Sequence, residues 1–414
     1  MMTGKGCLCC PDLVWTSLSM LFFTTLLHLT SAATPSAACT TDDDCSLNGK
    51  CVVASGSCDC YAPWGGSACG VLQFAAAPTV GAYGDGGANA SNVTSWGGKA
   101  VYEAATATWH GFFTEIAPST CGLSTWRTHS TVVHAVATKP SGPYKRSAVV
   151  LQHEAHNPAV LRLNATHYYI FHIGDGDSKK NSSNCPIQNP PAPHKMPPTK
   201  YPIHRSTTGP TGPFAPLQIP DGKNGFGGCN NPSPFQHPNG TLYLACTWSL
   251  RSAPRPEGPW STEWTIAPKN AVGRKWGGRY WEDVFIYVDA RGHWHVLAHT
   301  YINDVGPALS ISGHGYSRDG HHWTYSETEP YSSAVKRVDG SEKTYSTMER
   351  PKFLFADPAD PLRPTHLFNG ASPVWDAGST NPCGGCKLAT CVKCKVTTGM
   401  DWTYTVVRPL MANS

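Results

Sequence analysis

Charge is scarce in this chain of 414 residues: only 14% are Asp, Glu, Lys or Arg, and the formal balance of +4 gathers into no basic run. That excludes the clustered Lys/Arg footprint of a nucleic-acid-binding domain. Long apolar runs are missing beyond Ala33, so no later stretch reads as a membrane-spanning helix. Helical periodicity is nearly absent from Val71 onward, which excludes a helical architecture. In its place stand 40 glycines and 35 prolines between short runs rich in Tyr, Trp, Val, Ile and Phe, an all-β texture.

The N-terminus differs. One cation, Lys5, precedes an uncharged apolar run from Leu13 to Leu29 and the small residues Ser31, Ala32 and Ala33. This order reads as a signal peptide over residues 1–33, cleaved near Ala33, leaving no stable membrane insertion. An uncleaved anchor is the alternative, because the run sits at the lower limit for crossing a bilayer. Of 17 cysteines, Cys7, Cys9 and Cys10 leave with the signal, and the even remainder suits disulfides in an oxidising compartment. Asn89, Asn92, Asn164, Asn181 and Asn239 open N-x-S/T sequons, expected to carry glycans on surface loops. Together these features predict a secreted, extracellular glycoprotein.

Residues 39–69 read CTTDDDCSLNGKCVVASGSCDCYAPWGGSAC, a segment too small for a core without covalent staples. The spacing resembles an EGF-like domain, down to the closing Cys58, Cys60, Trp64, Gly66 and Cys69. The resemblance implies the pairs Cys39–Cys51, Cys45–Cys58 and Cys60–Cys69. Pro63 departs from it, standing where that family usually has glycine. The run Asp42 to Asp44 lacks the later Asn and aromatic of the calcium-binding version, so it reads as a solvated face. Gly70 and Val71 lead straight into the next domain, so the module is expected to pack against it.

The large domain, residues 72–410, repeats itself. HNPAVLRLNATHYYIFHIG starts at His156, NNPSPFQHPNGTLYLACTW at Asn230, EDVFIYVDARGHWHVLAHTY at Glu282 and ERPKFLFADPADPLRPTHLFNG at Glu349, with a fainter copy from Gly97. Each is a strand, a polar turn and a strand. Between them, VVHAVATKPSGPY, PIHRSTTGPTGPF, SLRSAPRPEGPW and SGHGYSRDGHHW each supply a further strand, a turn and an aromatic that opens a fourth. Four strands per unit, in five units, predict a mainly β fold, a five-bladed β-propeller. The closing WTYTVVRPL is expected to complete the last blade beside the segment entering from the small module. Asp175 to Lys200 reads as a rim insertion, in which Cys185 awaits Cys121, Cys229 or Cys246 as partner. The tail CGGCKLATCVKC, from Cys383 to Cys394, reads as disulfides rather than a zinc site.

The first strand of each propeller blade lines the central channel, so equivalent strand starts converge on one pocket. These positions hold Trp96 to Lys99, His156 and Asn157, Asn230 and Asn231, Glu282 and Asp283, and Glu349 and Arg350. HNPAVLR, NNPSPF, WEDVFIYVD and the two Gly-Pro hairpins resemble the five-bladed propeller glycosidases, with glycoside hydrolase family 43 nearest. The resemblance implies hydrolysis between two carboxyl groups, one protonated and one ionised. Glu282 is assigned as the acid, Glu349 as base or nucleophile and Asp283 as orienter. His156, Asn157, Asn230, Asn231, Trp281, Arg350 and His314 are expected to bind substrate. The structural alternatives are a buried Glu349–Arg350 ion pair and a strand cap formed by Glu282 and Asp283. The chain also departs from that family, which places Asp at the starts of the first two blades, where Gly98 or Lys99 and Asn157 stand here. Glu154 is a reserve carboxylate.

His134, His204 and His314 recur at one place in the second repeat, which favours a shared structural hydrogen bond over a metal site. SRDGHHW resembles an Asp-box turn, chiefly a folding device. The leading expectation is a secreted glycoside hydrolase acting on polysaccharide or oligosaccharide. The alternative is a non-catalytic extracellular glycan-binding or adhesion protein. Either takes a carbohydrate and needs no cofactor, with a bound calcium left open.

Overall fold

The structure, a computed structural model, describes residues 38–84, 93–116, 123–176, 202–219, 229–266, 275–276, 279–301, 311–345, 347–372 and 403–412. The segment expected to be a signal, the sequons at Asn89, Asn92 and Asn181, residues 177–200 of the insertion, Cys121, Cys185 and the cysteine-rich tail lie outside these residues.

Three disulfides staple the first segment: Cys39–Cys51, Cys45–Cys58 and Cys60–Cys69, the pairing the resemblance implies. Strands β1 (Gly49–Val52) and β2 (Ser57–Cys60) form a hairpin in which Cys51 faces Cys58. Glycine is required at position 49, because a Cβ there would lie 2.5 Å from the Cys69 sulfur. Short strands β3 (Trp64–Gly65) and β4 (Val71–Leu72) pair and lead out.

Five antiparallel sheets follow in chain order. The first is β5 (Thr94–Glu103), β6 (Thr108–Ile116), β7 (Ser130–Ala137) and β8 (Lys145–Leu151). The second is β9 (His156–Arg162), β10 (Tyr168–Ile173), β11 (Ile203–Ser206) and β12 (Ala215–Pro216). The third is β13 (Pro232–Gln236), β14 (Leu242–Cys246), β15 (Ser249–Ala253) and β16 (Trp264–Thr265). In the fourth, β17 (Lys275–Trp276) precedes β18 (Arg279–Val288), β19 (Trp294–Tyr301), β20 (Ile311–Ser317) and β21 (Thr324–Ser326). After a separate hairpin of β22 (Ala334–Lys336) and β23 (Glu342–Thr344), the fifth holds β24 (Thr347–Leu354), β25 (His366–Ser372) and β26 (Tyr404–Pro409). The leading strands touch in a closed cycle, β5 to β9 to β13 to β18 to β24 and back to β5. The chain is therefore a five-bladed propeller.

The fifth blade has three strands of its own, and the segment ahead of β5 supplies a fourth. Phe74 bridges Leu410 and Tyr83 bridges Thr405, both antiparallel. This clasp leaves no open edge at the joint, the reason rings close this way. Middle strands are pressed between neighbouring blades and so read as continuous apolar runs; all six residues of β10, YYIFHI, are buried. Aromatic contacts join the blades, Phe113 with Phe368 at 6.3 Å and Tyr243 with Trp294 at 4.7 Å.

The stapled segment shares this core. Trp64, Cys69 and Leu72 cluster with Phe285, Tyr287, Leu297 and Tyr331, and Arg318 pairs with Asp43 at 2.7 Å. Residues 38–414 form one unit. The recurring histidines do share a structural bond, each with a histidine on the preceding strand: His110 with His134 at 2.8 Å, His172 with His204 at 2.9 Å and His295 with His314 at 3.2 Å. Cys229 pairs with Cys246, which removes both as partners for Cys185. Asn164 and Asn239 lie exposed on hairpin turns that their own side chains cap, accepting from the amides of Thr166 and Thr241 at 3.0 Å. Among the described residues, no helix is long and apolar enough to cross a membrane.

Candidate functional site

Every leading strand carries a left-handed residue near its start: Gly97, Asn157, Asn231, Asp283 and Arg350, with φ of 73°, 52°, 55°, 56° and 57°. Register shifts mark the same places in four blades, between Ser95 and Gly98, Phe171 and Ile173, Glu282 and Phe285, and Glu349 and Lys352. A bulge interrupts the two-residue alternation and re-aims a side chain. Four of the five then meet through their side chains. Asn157 Nδ2 donates to Asn231 Oδ1 at 3.0 Å. Arg350 Nη1 donates to the same oxygen and to Asp283 Oδ1. Lys352 Nζ donates to Asn157 Oδ1 at 2.8 Å. Backbone bonds hold the ring from outside, as when the Asn157 amide donates to Thr114 Oγ1 at 3.0 Å.

Beside this ring stands a second cluster. His299, on β19, places Nδ1 3.5 Å from Glu282 Oε1, 3.8 Å from Glu349 Oε2 and 3.9 Å from Asp283 Oδ2. One donor atom from each of the four residues lies within 4.8 Å of the others. Burial opposes a charge on His299, yet Glu349, Glu282 and Asp283 outweigh it and lift its pKa to about 9. Burial raises the Glu349 carboxyl above its ordinary value, against the pull of His299. Burial also raises Asp283, whose side chain is fully enclosed, despite Arg350. Lys352 falls to about 7, through burial and then the repulsion of Arg350. Glu282 is the open member, its side chain 31% exposed against 16% for Glu349. Three carboxylates and an imidazole are also a donor set that hard divalent cations accept.

The structure thus brings together Glu282, Asp283, Glu349, Arg350, Asn157 and Asn231. The Glu349–Arg350 ion pair gives way to another: Arg350 pairs with Asp283 of the preceding blade. His156 is buried, its Nδ1 2.7 Å from Ser130 Oγ and its ring tilted against Trp126 of the short helix α1 (Trp126–His129), 4.6 Å between centroids. Burial, with Arg350 and Lys352 nearby, holds it neutral. Asn230 is half-buried and its carbonyl accepts from Thr247. Glu154 lies on the turn before β9 with φ 65°.

Two expectations are corrected. Trp281 is not placed to bind substrate; it is buried inside the fourth blade, 4.3 Å from Tyr325 between ring centroids. Position 281 precedes the bulge and keeps the blade-facing direction, while Glu282 and Asp283 turn to the centre. His314 does not approach the channel either. It belongs to the third strand of its blade and is buried between His295 and Trp64 of the stapled segment, 4.7 Å from the latter. Sequence reasoning missed His299 and Trp126. The former had a signal, since β19 pairs antiparallel with β18 and sets His299 opposite Glu282.

No family model matches the chain, and no curated protein matches it. Solved structures do resemble it. The α-L-arabinofuranosidase of Podospora anserina, solved with cellotriose, aligns with a TM-score of 0.50 at 9% identity, covering 82% of this chain and 97% of that one. The catalytic domain of a Coprinopsis cinerea family 62 α-L-arabinofuranosidase aligns with a TM-score of 0.49 at 10% identity, over 82% and 98% of the two chains. An endo-arabinase from Bacteroides thetaiotaomicron gives 0.46 at 12%, over 82% and 99%. The Podospora likeness is one of fold and agrees with the five-bladed ring.

Proposed function

We propose that this chain is a carbohydrate-active protein of the glycoside hydrolase type, cutting glycosidic bonds of oligosaccharides or polysaccharides at the mouth of the ring. The observation that carries the reading is the convergence of Glu282 and Glu349 from adjoining blades, an oxygen of each within 4.8 Å. Glycosidases use two carboxyl groups, about 5–5.5 Å apart when they retain anomeric configuration and roughly 6.5–9.5 Å when they invert it. The closeness here supports retention. Burial keeps Glu349 protonated to higher pH, so Glu349 is the acid and the more open Glu282 the nucleophile. This exchanges the roles expected from sequence.

Glu349 gives its proton to the departing oxygen as the Glu282 carboxylate attacks the anomeric carbon and the glycosidic C–O bond breaks. Glu349, now ionised, takes a proton from water, whose oxygen cleaves the glycosyl ester and restores both residues. Cationic His299 steadies the Glu282 carboxylate as it leaves, and Asp283, tied to Arg350, positions His299. Asn157 and Asn231, tied to Arg350, shape the polar floor beside the carboxylates. Secretion, an EGF-like identity for residues 39–69 and domain limits at 1–33 and 72–410 belong to the same proposal, supported by the disulfides.

One observation favours a second reading, glycan recognition without cleavage: Gly98 or Lys99 and Asn157 stand where the resemblance implies catalytic Asp. The test is a screen on arabinan, xylan, galactan and fructan oligosaccharides, arabinosides first because the Podospora protein of this fold is an arabinofuranosidase. Glu282→Gln and Glu349→Gln are each expected to lower kcat by about 10²–10⁴. Cleavage that survives both substitutions sinks the assignment, and binding without cleavage moves the chain to recognition.

A further inference from the structure

Docking of the stapled segment creates a cavity that the central site does not use. It measures about 290 Å³ and is lined by Tyr61 and Trp64 from that segment, Asp289 and Arg291 from the turn after β18, and Asp360 and Arg363 from the turn after β24. Glu282 lies near the start of β18, and Asp289 follows its last residue. At about 3.3 Å per residue they are roughly 20 Å apart, so the cavity opens on the other face of the ring.

Its chemistry is specific. Tyr61 is 38% exposed, and the Arg291 guanidinium lies 4.1 Å from its ring centroid, which holds the ring in place. Each guanidinium already has carboxylate beside it, Arg291 with Asp289, and Arg363 with Asp357 and, at 3.5 Å, with Asp360. Two guanidiniums against three carboxylates leave no net positive charge, which disfavours an anionic ligand. Asp289 is filled by the Arg291 and His293 amides, Arg291 and His295, so what remains is the open Asp360 carboxylate, guanidinium N–H groups and aromatic surface. A sugar ring answers each of these, with an apolar C–H face for Tyr61 and adjacent hydroxyls for Asp360 and Arg363. The volume lies at the lower end for small-molecule sites, about 300 Å³, and suits a single ring.

We infer that the stapled segment and the propeller together form a second, non-catalytic site that holds one ring of a neutral oligosaccharide on the face opposite Glu282. It would keep a long chain on the protein between cuts, but the binding itself does not depend on the hydrolase reading. The test is calorimetric titration of the full chain with arabinan, xylan and galactan pentasaccharides, in a Glu349→Gln background so that none is consumed. Tyr61→Ala is expected to remove one binding site per chain or weaken it at least tenfold, while Tyr61→Phe keeps it. Asp360→Asn, at a side chain 44% exposed, gives a second variant that leaves the core alone should Tyr61→Ala unfold the segment. In the unsubstituted background, Tyr61→Ala should leave hydrolysis of a short aryl glycoside unchanged. Stoichiometry and affinity that neither Tyr61→Ala nor Asp360→Asn alters overturn the inference, as does failure of all three probes to bind. Hydrolysis by the unsubstituted chain reports separately on the central site, so the two readings fail independently.

Discussion

Arg350 of β24 and Asp283 of β18 are the left-handed bulge residues of adjoining blades, and they meet through a hydrogen bond from Nη1 to Oδ1. The pair joins the polar ring of asparagines to the carboxylate cluster around His299. Asp283 is fully enclosed and the Arg350 side chain only 12% exposed, so neither charge has water to fall back on.

Removing one partner therefore strands the other. Arg350→Met is expected to cost about 3–5 kcal/mol in denaturant unfolding. Asp283→Asn combined with Arg350→Met should cost less than the two single changes added together, because the stranded charge is gone. Strict additivity would show that the two are not coupled.

His299 makes stability depend on pH. Its folded pKa of about 9 exceeds the ordinary imidazole value of about 6.5, so the folded state binds the proton more tightly. The resulting stabilisation is complete below about pH 6.5 and is lost as pH rises through about 9. Compared with His299→Gln, the native chain should melt higher at about pH 6, with the gap closing by about pH 10. A gap that stays constant would place His299 outside the titration.

Under the proposed acid role, Glu349 sets the alkaline side of the activity profile. Its carboxyl is raised by burial, and kcat/KM should fall as pH climbs through that raised value. Glu349→Gln should lose this limb and keep most of kcat/KM on aryl glycosides, whose leaving groups need little proton assistance, while kcat falls because Glu349 is also the base for the second step. Activity should also persist after dialysis against a chelator. Loss with recovery on adding calcium would reassign the four donors to a cation.

Trp64 anchors the stapled segment, 7% exposed against His314 and Tyr287. Trp64→Ala should cost about 3–5 kcal/mol, the usual range for a buried aromatic, read as a lowered denaturant midpoint. Independent melting of residues 39–69 at unchanged propeller stability would contradict a shared core.

Much of this was legible because it rests on repetition and composition. Four-strand units starting at His156, Asn230, Glu282 and Glu349 marked the blades, and six cysteines within residues 39–69 marked the staples. The histidines at 134, 204 and 314 shared a position and proved to share a bond. The errors lie where a bulge breaks the alternation. A regular strand would put Trp281 and Asp283 on one face, whereas the left-handed turn at Asp283 sends Glu282 and Asp283 to the centre and leaves Trp281 in the blade. Residue type alone could not rank Glu349 against Glu282, since what separates them is depth of burial. His314 stood in a repeated third strand, and which of those strands the stapled segment would cover depends on docking.

The clasp between Tyr83 and Thr405 bears on how the protein is made. These partners are separated by most of the chain, and a ribosome adding roughly 5–20 residues per second needs on the order of tens of seconds to span that stretch. The strand that completes the fifth blade is thus among the first synthesised and the last seated. Until β26 emerges, Phe74 and Tyr83 have no partner strand, and any chaperone that attends this chain has its longest task there.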